Sequence, residues 1–189
     1  MGNPEMADLS IYLFWTGLTT AIIAVVLYVA YAASASISLR RYAAQTSAGT
    51  VTMVSGSGQP NAPLGRLATT TTGVVVLALA GAVATRWVAV GHAPISNLYE
   101  FTVAFAFGMA AAYLGFETYS GMRRLGLVGL PIVLAMLLVA TRFPTDILPL
   151  IPALQNCPLL PIHVSVMMIS YAILTVAFCG AVIYLAQGG

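Results

Sequence analysis

The chain has 189 residues, and only twelve are charged: seven arginines, no lysine and five carboxylates, against 60% hydrophobic residues. A water-soluble domain carries about a quarter charged residues because its surface has to meet water. This chain cannot cover itself that way, so lipid is its solvent, and seven scattered arginines form no basic patch for a nucleic acid.

Crossing a hydrocarbon core takes about 20 apolar residues. Five runs meet that length, at residues 10–35, 67–90, 98–119, 125–141 and 163–186. None alternates with the period-two polarity of a barrel strand, and backbone polar groups in lipid have to be satisfied within the segment. The expected fold is therefore all-α, a polytopic membrane helix bundle of about five transmembrane helices.

The first run has an acidic flank, Glu5 and Asp8, and is too long for a cleaved signal peptide, so it reads as a retained helix. Residues 44–63 are rich in Ser, Thr, Gly, Gln and Pro and read as a flexible linker. Arg40, Arg41 and Arg66 lie between the first two helices, and Arg123 and Arg124 follow the third, whereas the opposite face holds Arg86 and Arg142. The arginine-rich side is read as cytoplasmic, which places the N-terminus outside. Three regions result: 1–35, a first helix with an outer N-terminus; 36–66, a flexible cytoplasmic linker; and 67–189, a four-helix region.

Small residues at Ala104, Gly108 and Ala112 predict a close-packing face on the third helix, and Gly81 with Thr85 does so on the second. Between the fourth and fifth helices, residues 143–161 hold Pro144, Pro149, Pro152, Pro158 and Pro161 among Leu and Ile. Prolines at that density break a helix, yet the segment is apolar, so it is expected in the outer interface as a connecting loop or as a lid over an outward-facing site. Cys157 and Cys179 have no metal or haem-attachment spacing, and Cys179 reads as a small packing residue.

The residues that carry chemistry gather at the outer side. His92 lies in the turn before the third helix, and His163 opens the fifth directly after the proline-rich segment. A lone boundary histidine ordinarily bonds water or headgroups; two at one depth point to a shared site, and neutral imidazole ligates haem iron. Glu100 begins an apolar helix, where an unpaired carboxylate is costly, and Arg86 ends the preceding helix on the same side. An ion pair between them is expected, together with a cap on the third helix from Asn97 or Ser96. Glu117 is expected at the cytoplasmic interface beside Arg123 or Arg124. There is no P-loop, zincin helix or nucleophile elbow.

The run Arg86-Trp87, then Gly91-His92-Ala93-Pro94-Ile95-Ser96-Asn97-Leu98-Tyr99-Glu100, resembles the CcsA/CcsB/ResC-type cytochrome c assembly proteins, the haem-handling membrane subunits of one cytochrome c maturation system. A second stretch, Ile162-His163-Val164 with Met167-Met168 and Ser170-Tyr171-Ala172, is similar to that family's segment in which an outer-side histidine opens a helix. The resemblance covers residues 67 to 187. It implies a cytochrome c biogenesis subunit that binds or delivers haem at the outer face for attachment to apocytochrome c, beside a ResB-type membrane partner. It makes His163 the iron ligand, with His92 as a second haem-binding candidate and Arg86, Trp87, Pro94, Asn97, Tyr99 and Glu100 as the structural motif. The expected location is a bacterial cytoplasmic (inner) membrane or a thylakoid-type membrane.

The family's tryptophan-rich outer loop has no counterpart among Trp15 and Trp87, the chain's two tryptophans. The expectation is an N-terminal part of such a protein, at most part of a haem lyase, with a C-terminal half elsewhere. Two other readings stand beside it: a non-catalytic scaffold subunit of a larger respiratory or photosynthetic membrane complex, and a b-type haem protein with His92 and His163 as paired ligands.

Overall fold

The structure is a computed structural model, which describes residues 4–47, 62–93, 96–146 and 159–186. These residues form five long helices and one short 3₁₀ turn, with no strand among them. The helices are α1 (Pro4–Ser47), α2 (Ala62–Val90), α3 (Leu98–Ser120), α4 (Gly126–Ala140) and α5 (Leu159–Ala186), and the 3₁₀ turn Arg123–Leu125 leads into α4. Five helical stretches are long and apolar enough to cross a membrane: Pro4–Ser34, Ala62–Val90, Leu98–Ser120, Arg123–Ala140 and Pro161–Ala186. The chain is a polytopic membrane helix bundle.

Helix ends differ from the hydropathy limits where no breaker stops the chain. No proline or glycine lies between Ser36 and Ser47, and α1 stays helical to Ser47. α2 begins at Ala62, so the rest of the linker expected at 44–63, residues 48–61, lies outside the described residues. Gly91 (φ 75°) ends α2 and Gly121 (φ 71°) ends α3, each in the left-handed region that a glycine adopts without a Cβ clash. The Gly121 N–H donates to Glu117 O at 2.8 Å, satisfying a carbonyl of the last turn.

α1 and α2 run antiparallel and close together. A Cβ on Gly17 would lie 2.8 Å from the Leu79 side chain, and one on Gly81 would lie 3.1 Å from Leu13. Tyr28, Val75, Leu79, Leu130, Val133 and Leu137 fill the centre of the bundle. Threonines within the spans turn their hydroxyls back onto their own helix, as Thr72 does to Ala68 O at 3.0 Å, so no donor is stranded in lipid.

α5 runs parallel to α3 on the outside of the bundle. Phe105 meets the Tyr171 ring, Gly108 faces Ala172, and the Thr175 hydroxyl donates to Met109 Sδ at 3.5 Å. Partners 105 with 171, 108 with 172 and 109 with 175 are thus separated by 64 to 66 positions. Gly108 therefore sits where the small-residue face was expected. Cys179 is buried against Gly129, its Sγ 3.7 Å from a Cβ placed there, in the packing role its apolar setting predicts.

Gly126 is the tightest point. A Cβ there would collide with the Tyr113 hydroxyl and the Tyr28 ring, both held in place by Glu117. Gly126→Ala is expected to cost about 1–3 kcal/mol by overpacking, read as a lower midpoint of heat-induced loss of monodisperse protein in detergent. Gly115→Ala, with open space around its Cβ, serves as the control.

Candidate functional site

The turn between α2 and α3 is held by side chains from three elements. Asn97 is the N-cap of α3, and its side-chain oxygen accepts the Glu100 N–H at 2.8 Å. Glu100 reaches back: Oε2 accepts the Ser96 N–H at 3.0 Å. This reciprocal arrangement satisfies two donors at a helix start, in the manner of a capping box.

The other carboxylate oxygen belongs to Arg86. Arg86 Nε donates to Glu100 Oε1 at 3.0 Å, with side chains 4% and 0% exposed. Capping and ion pairing, two expectations from sequence, are met by one carboxylate. Arg86 Nη2 donates to Thr145 O at 2.5 Å, and Asn97 Nδ2 donates to Asp146 O at 3.0 Å. The guanidinium carbon stands 5.7 Å from the centroid of the Tyr99 ring, and Tyr99 in turn packs edge-on against Phe14 of α1 at 5.4 Å. A buried guanidinium is tolerated in such a place only when its donors are taken up and its charge is matched. Here Nε and Nη2 have acceptors and Glu100 matches the charge.

Sequence reading did not find the carbonyls of Thr145 and Asp146. Backbone acceptors in an irregular segment carry no residue signature; the available signal is Pro144, which keeps the chain extended after α4. These two bonds fold the start of the proline-rich segment over the α2–α3 turn. Residues 159–161 of the proline-rich segment begin α5 and are helical, against the expectation of a break up to Pro161; residues 147–158 lie outside the described residues, as does Pro94.

Each candidate residue has a definite place. Trp87 is exposed on the outer surface of α2, beside the buried Arg86. His92 is half-buried in the turn, with Nδ1 2.9 Å from Ala93 O and 3.5 Å from Ser96 Oγ. A ring nitrogen engaged with a carbonyl fixes the tautomer and leaves Nε2 as the free donor pair. His163 is exposed in the first turns of α5. The α3–α5 register, extended two turns, brings His163 level with Asn97, so both histidines lie at one end of the bundle, as does the start of α1.

The donor chemistry fits an axial haem ligand. Neither of two cavities among the described residues is lined by His92 or His163. The small cavity beside Arg86, about 10 Å³, is lined by Ser10, Tyr99 and Glu100, and the large one of about 830 Å³ opens at the other end of the bundle. No group of three metal-ligating side chains occurs among the described residues.

That other end has a second buried polar cluster. Glu117 is 2% exposed and accepts hydrogen bonds from the hydroxyls of Tyr28, Tyr113 and Thr69. Arg123 Nε lies 3.7 Å from Glu117 Oε1 and donates to Thr69 Oγ1 at 3.2 Å. The pairing with Arg123 follows the sequence expectation; the depth does not. Glu117 is inside the bundle because Tyr28 and Tyr113 supply the donors that water would otherwise provide.

The family model described as Cytochrome C assembly protein matches residues 95–188. Residues 95–188 belong to the cytochrome c assembly protein family. The chain is 36% identical over 135 residues to the cytochrome c biogenesis protein CcsA of Gloeothece citriformis, covering 69% of this chain and 41% of that protein. It is 40% identical over 116 residues to CcsA of a Synechocystis strain, covering 59% and 34%, and 36% identical over 126 residues to CcsA of Porphyra purpurea, covering 65% and 39%. The chain thus spans about two fifths of the length of the curated relatives it matches. No solved structure matches it. The assembly-family region contains Asn97, Tyr99, Glu100 and His163, whereas Arg86, Trp87 and His92 precede it.

Proposed function

We propose that this chain is a cytochrome c biogenesis subunit whose histidine-bearing end binds or delivers haem at the outer membrane face for attachment to apocytochrome c. The observation that carries the reading is the placement of His163 level with a turn made rigid by Arg86, Asn97 and Glu100, in a region of cytochrome c assembly sequence. A ligand that presents a reactive group needs a fixed support, and the α2–α3 turn is tied to α1, α2 and the segment after α4. Haem, if bound, would supply an iron that the His163 imidazole could hold and vinyl groups able to react with cysteine thiols.

In this reading His163 is the iron ligand and His92 a second haem-binding candidate, with Arg86, Trp87, Pro94, Asn97, Tyr99 and Glu100 shaping the turn. The N-terminus and both histidines face outward, because five arginines belong to the opposite side. The membrane is a bacterial cytoplasmic membrane or a thylakoid-type membrane, and the partners are a ResB-type subunit and apocytochrome c. The domain plan is a first helix, a cytoplasmic linker and a four-helix assembly region. A scaffold role in a larger membrane complex is the second reading, favoured by α5, whose spanning window is only 11% buried and leaves a long face for neighbours.

The test is an absorption spectrum of the purified chain, oxidised and reduced, beside His163→Ala and His92→Ala. A haem band is expected in the parent chain and lost in His163→Ala. Dependence on His92 as well would assign paired histidine ligation. An intact chain that takes up no haem would sink direct ligation and leave the scaffold reading.

A further inference from the structure

The cavity of about 830 Å³ lies at the opposite end from the histidines, between the last turns of α3 and the second half of α5. Its walls are apolar, with Phe116 from α3 and Ile173, Val176 and Tyr184 from α5, and Arg123 and Arg124 stand on its lining. The two helices touch through residues 105–109 and 171–175, and the half-open slot begins beyond that contact.

One positive charge at this slot, that of Arg124, is unmatched among the described residues. No acidic residue lines the slot among the described residues. Arg123 is turned toward Thr69 and Glu117. Arg124 is exposed and, among the described residues, has no carboxylate within 4.0 Å. Both arginines sit where α3 ends and α4 begins, at the level where a spanning helix leaves the hydrocarbon. Among the described residues the slot is lined by no histidine, so haem iron would find no imidazole on its walls.

We propose that this slot is a binding site for an anionic phospholipid, with the phosphodiester headgroup at Arg124 and Arg123 and an acyl chain lying between α3 and α5. Basic pockets between membrane helices recognise phosphate headgroups by charge, and the apolar walls take the chain that a soluble anion lacks. A zwitterionic lipid presents a second, positive group to the same arginines and gains less. The lipid also fills the gap beyond the contact of residues 105–109 with 171–175, bracing α5 against the bundle.

The experiment uses the full chain, delipidated in a neutral detergent and titrated separately with dioleoyl phosphatidylglycerol and dioleoyl phosphatidylcholine, with retained lipid counted by native mass spectrometry. Phosphatidylglycerol is expected to be retained at lower concentration than phosphatidylcholine. Arg124→Gln is expected to weaken phosphatidylglycerol retention about fivefold, the worth of one arginine near a lipid headgroup, while phosphatidylcholine is unaffected. Ala177→Trp, which fills the apolar wall contributed by α5, is expected to weaken both. Equal retention of the two lipids by the parent chain would overturn the proposal, as would an unchanged preference in Arg124→Gln. Displacement of phosphatidylglycerol by equimolar glycerol 3-phosphate would overturn it too, since the headgroup alone would then suffice.

Discussion

Glu100→Ala is expected to lower the stability of the folded chain by about 3–5 kcal/mol, the cost of leaving one partner of a buried ion pair without the other. The substitution strands the Arg86 guanidinium, whose side chain is 4% exposed, and removes the acceptor of the Ser96 N–H. For a chain of this size that corresponds to a fall of about ten degrees in the thermal midpoint, measured as loss of the monodisperse peak after heating in detergent. Removing both charges together is expected to recover most of the loss, because a well-packed apolar pair replaces a buried ion pair at little net cost. Arg86→Leu combined with Glu100→Leu is the variant that tests this. A Glu100→Ala chain as stable as the parent would mean that the pair does not hold the turn. The proposed haem readout should follow stability here, since the α2–α3 turn that faces the level of His163 is built on this carboxylate.

Glu117→Ala is expected to be comparably damaging, for a different reason. Two buried hydroxyls, those of Tyr28 and Tyr113, and the half-buried hydroxyl of Thr69 converge on one carboxyl group from α1, α3 and α2, and Arg123 approaches from the turn before α4. Each buried donor left without an acceptor costs about 1–3 kcal/mol, and lipid offers no water to replace the lost bond. Glu117→Gln keeps one acceptor oxygen and should be milder than Glu117→Ala yet weaker than the parent. A double-mutant cycle between Tyr28→Phe and Glu117→Gln should give a coupling energy of about 0.5–3 kcal/mol, as residues of one hydrogen-bonded network do. A coupling near zero would show that the Tyr28 hydroxyl gains nothing from Glu117. Gly126 belongs to the same cluster, since the absence of its Cβ lets Tyr28 and Tyr113 reach the carboxyl group together.

The two polar clusters were unequally visible in the sequence. Arg86 and Glu100 stand fourteen positions apart across a short turn, so their meeting follows from helix length and the cost of a lone charge in lipid. Tyr28 and Glu117 are 89 positions apart, and a tyrosine in an apolar run looks the same whether it faces lipid or a buried acid. Trp87 and His163 were legible as motif residues, but their exposure depends on how α2 and α5 are rotated. Pro94 and residues 147–158 remain expectations from sequence alone.

Composition and apolar run length determined by themselves that the chain is an all-α membrane bundle with five spans. Lipid permits no other way to satisfy so much backbone, and too few charges are present to face water. Local spacing determined the cap at Asn97, and residue pattern pointed to the cytochrome c assembly family. Only the tertiary structure decided that α5 runs parallel to α3 at the edge of the bundle and brings His163 level with Asn97. It alone decided that the Thr145 carbonyl completes the Arg86 site, that Glu117 is internal, and that a slot opens above Arg123 and Arg124. These depend on which helix faces meet. Helices that are apolar all round carry almost no record of that choice, which is made by a few small residues and by polar groups that have to find one another in the absence of water.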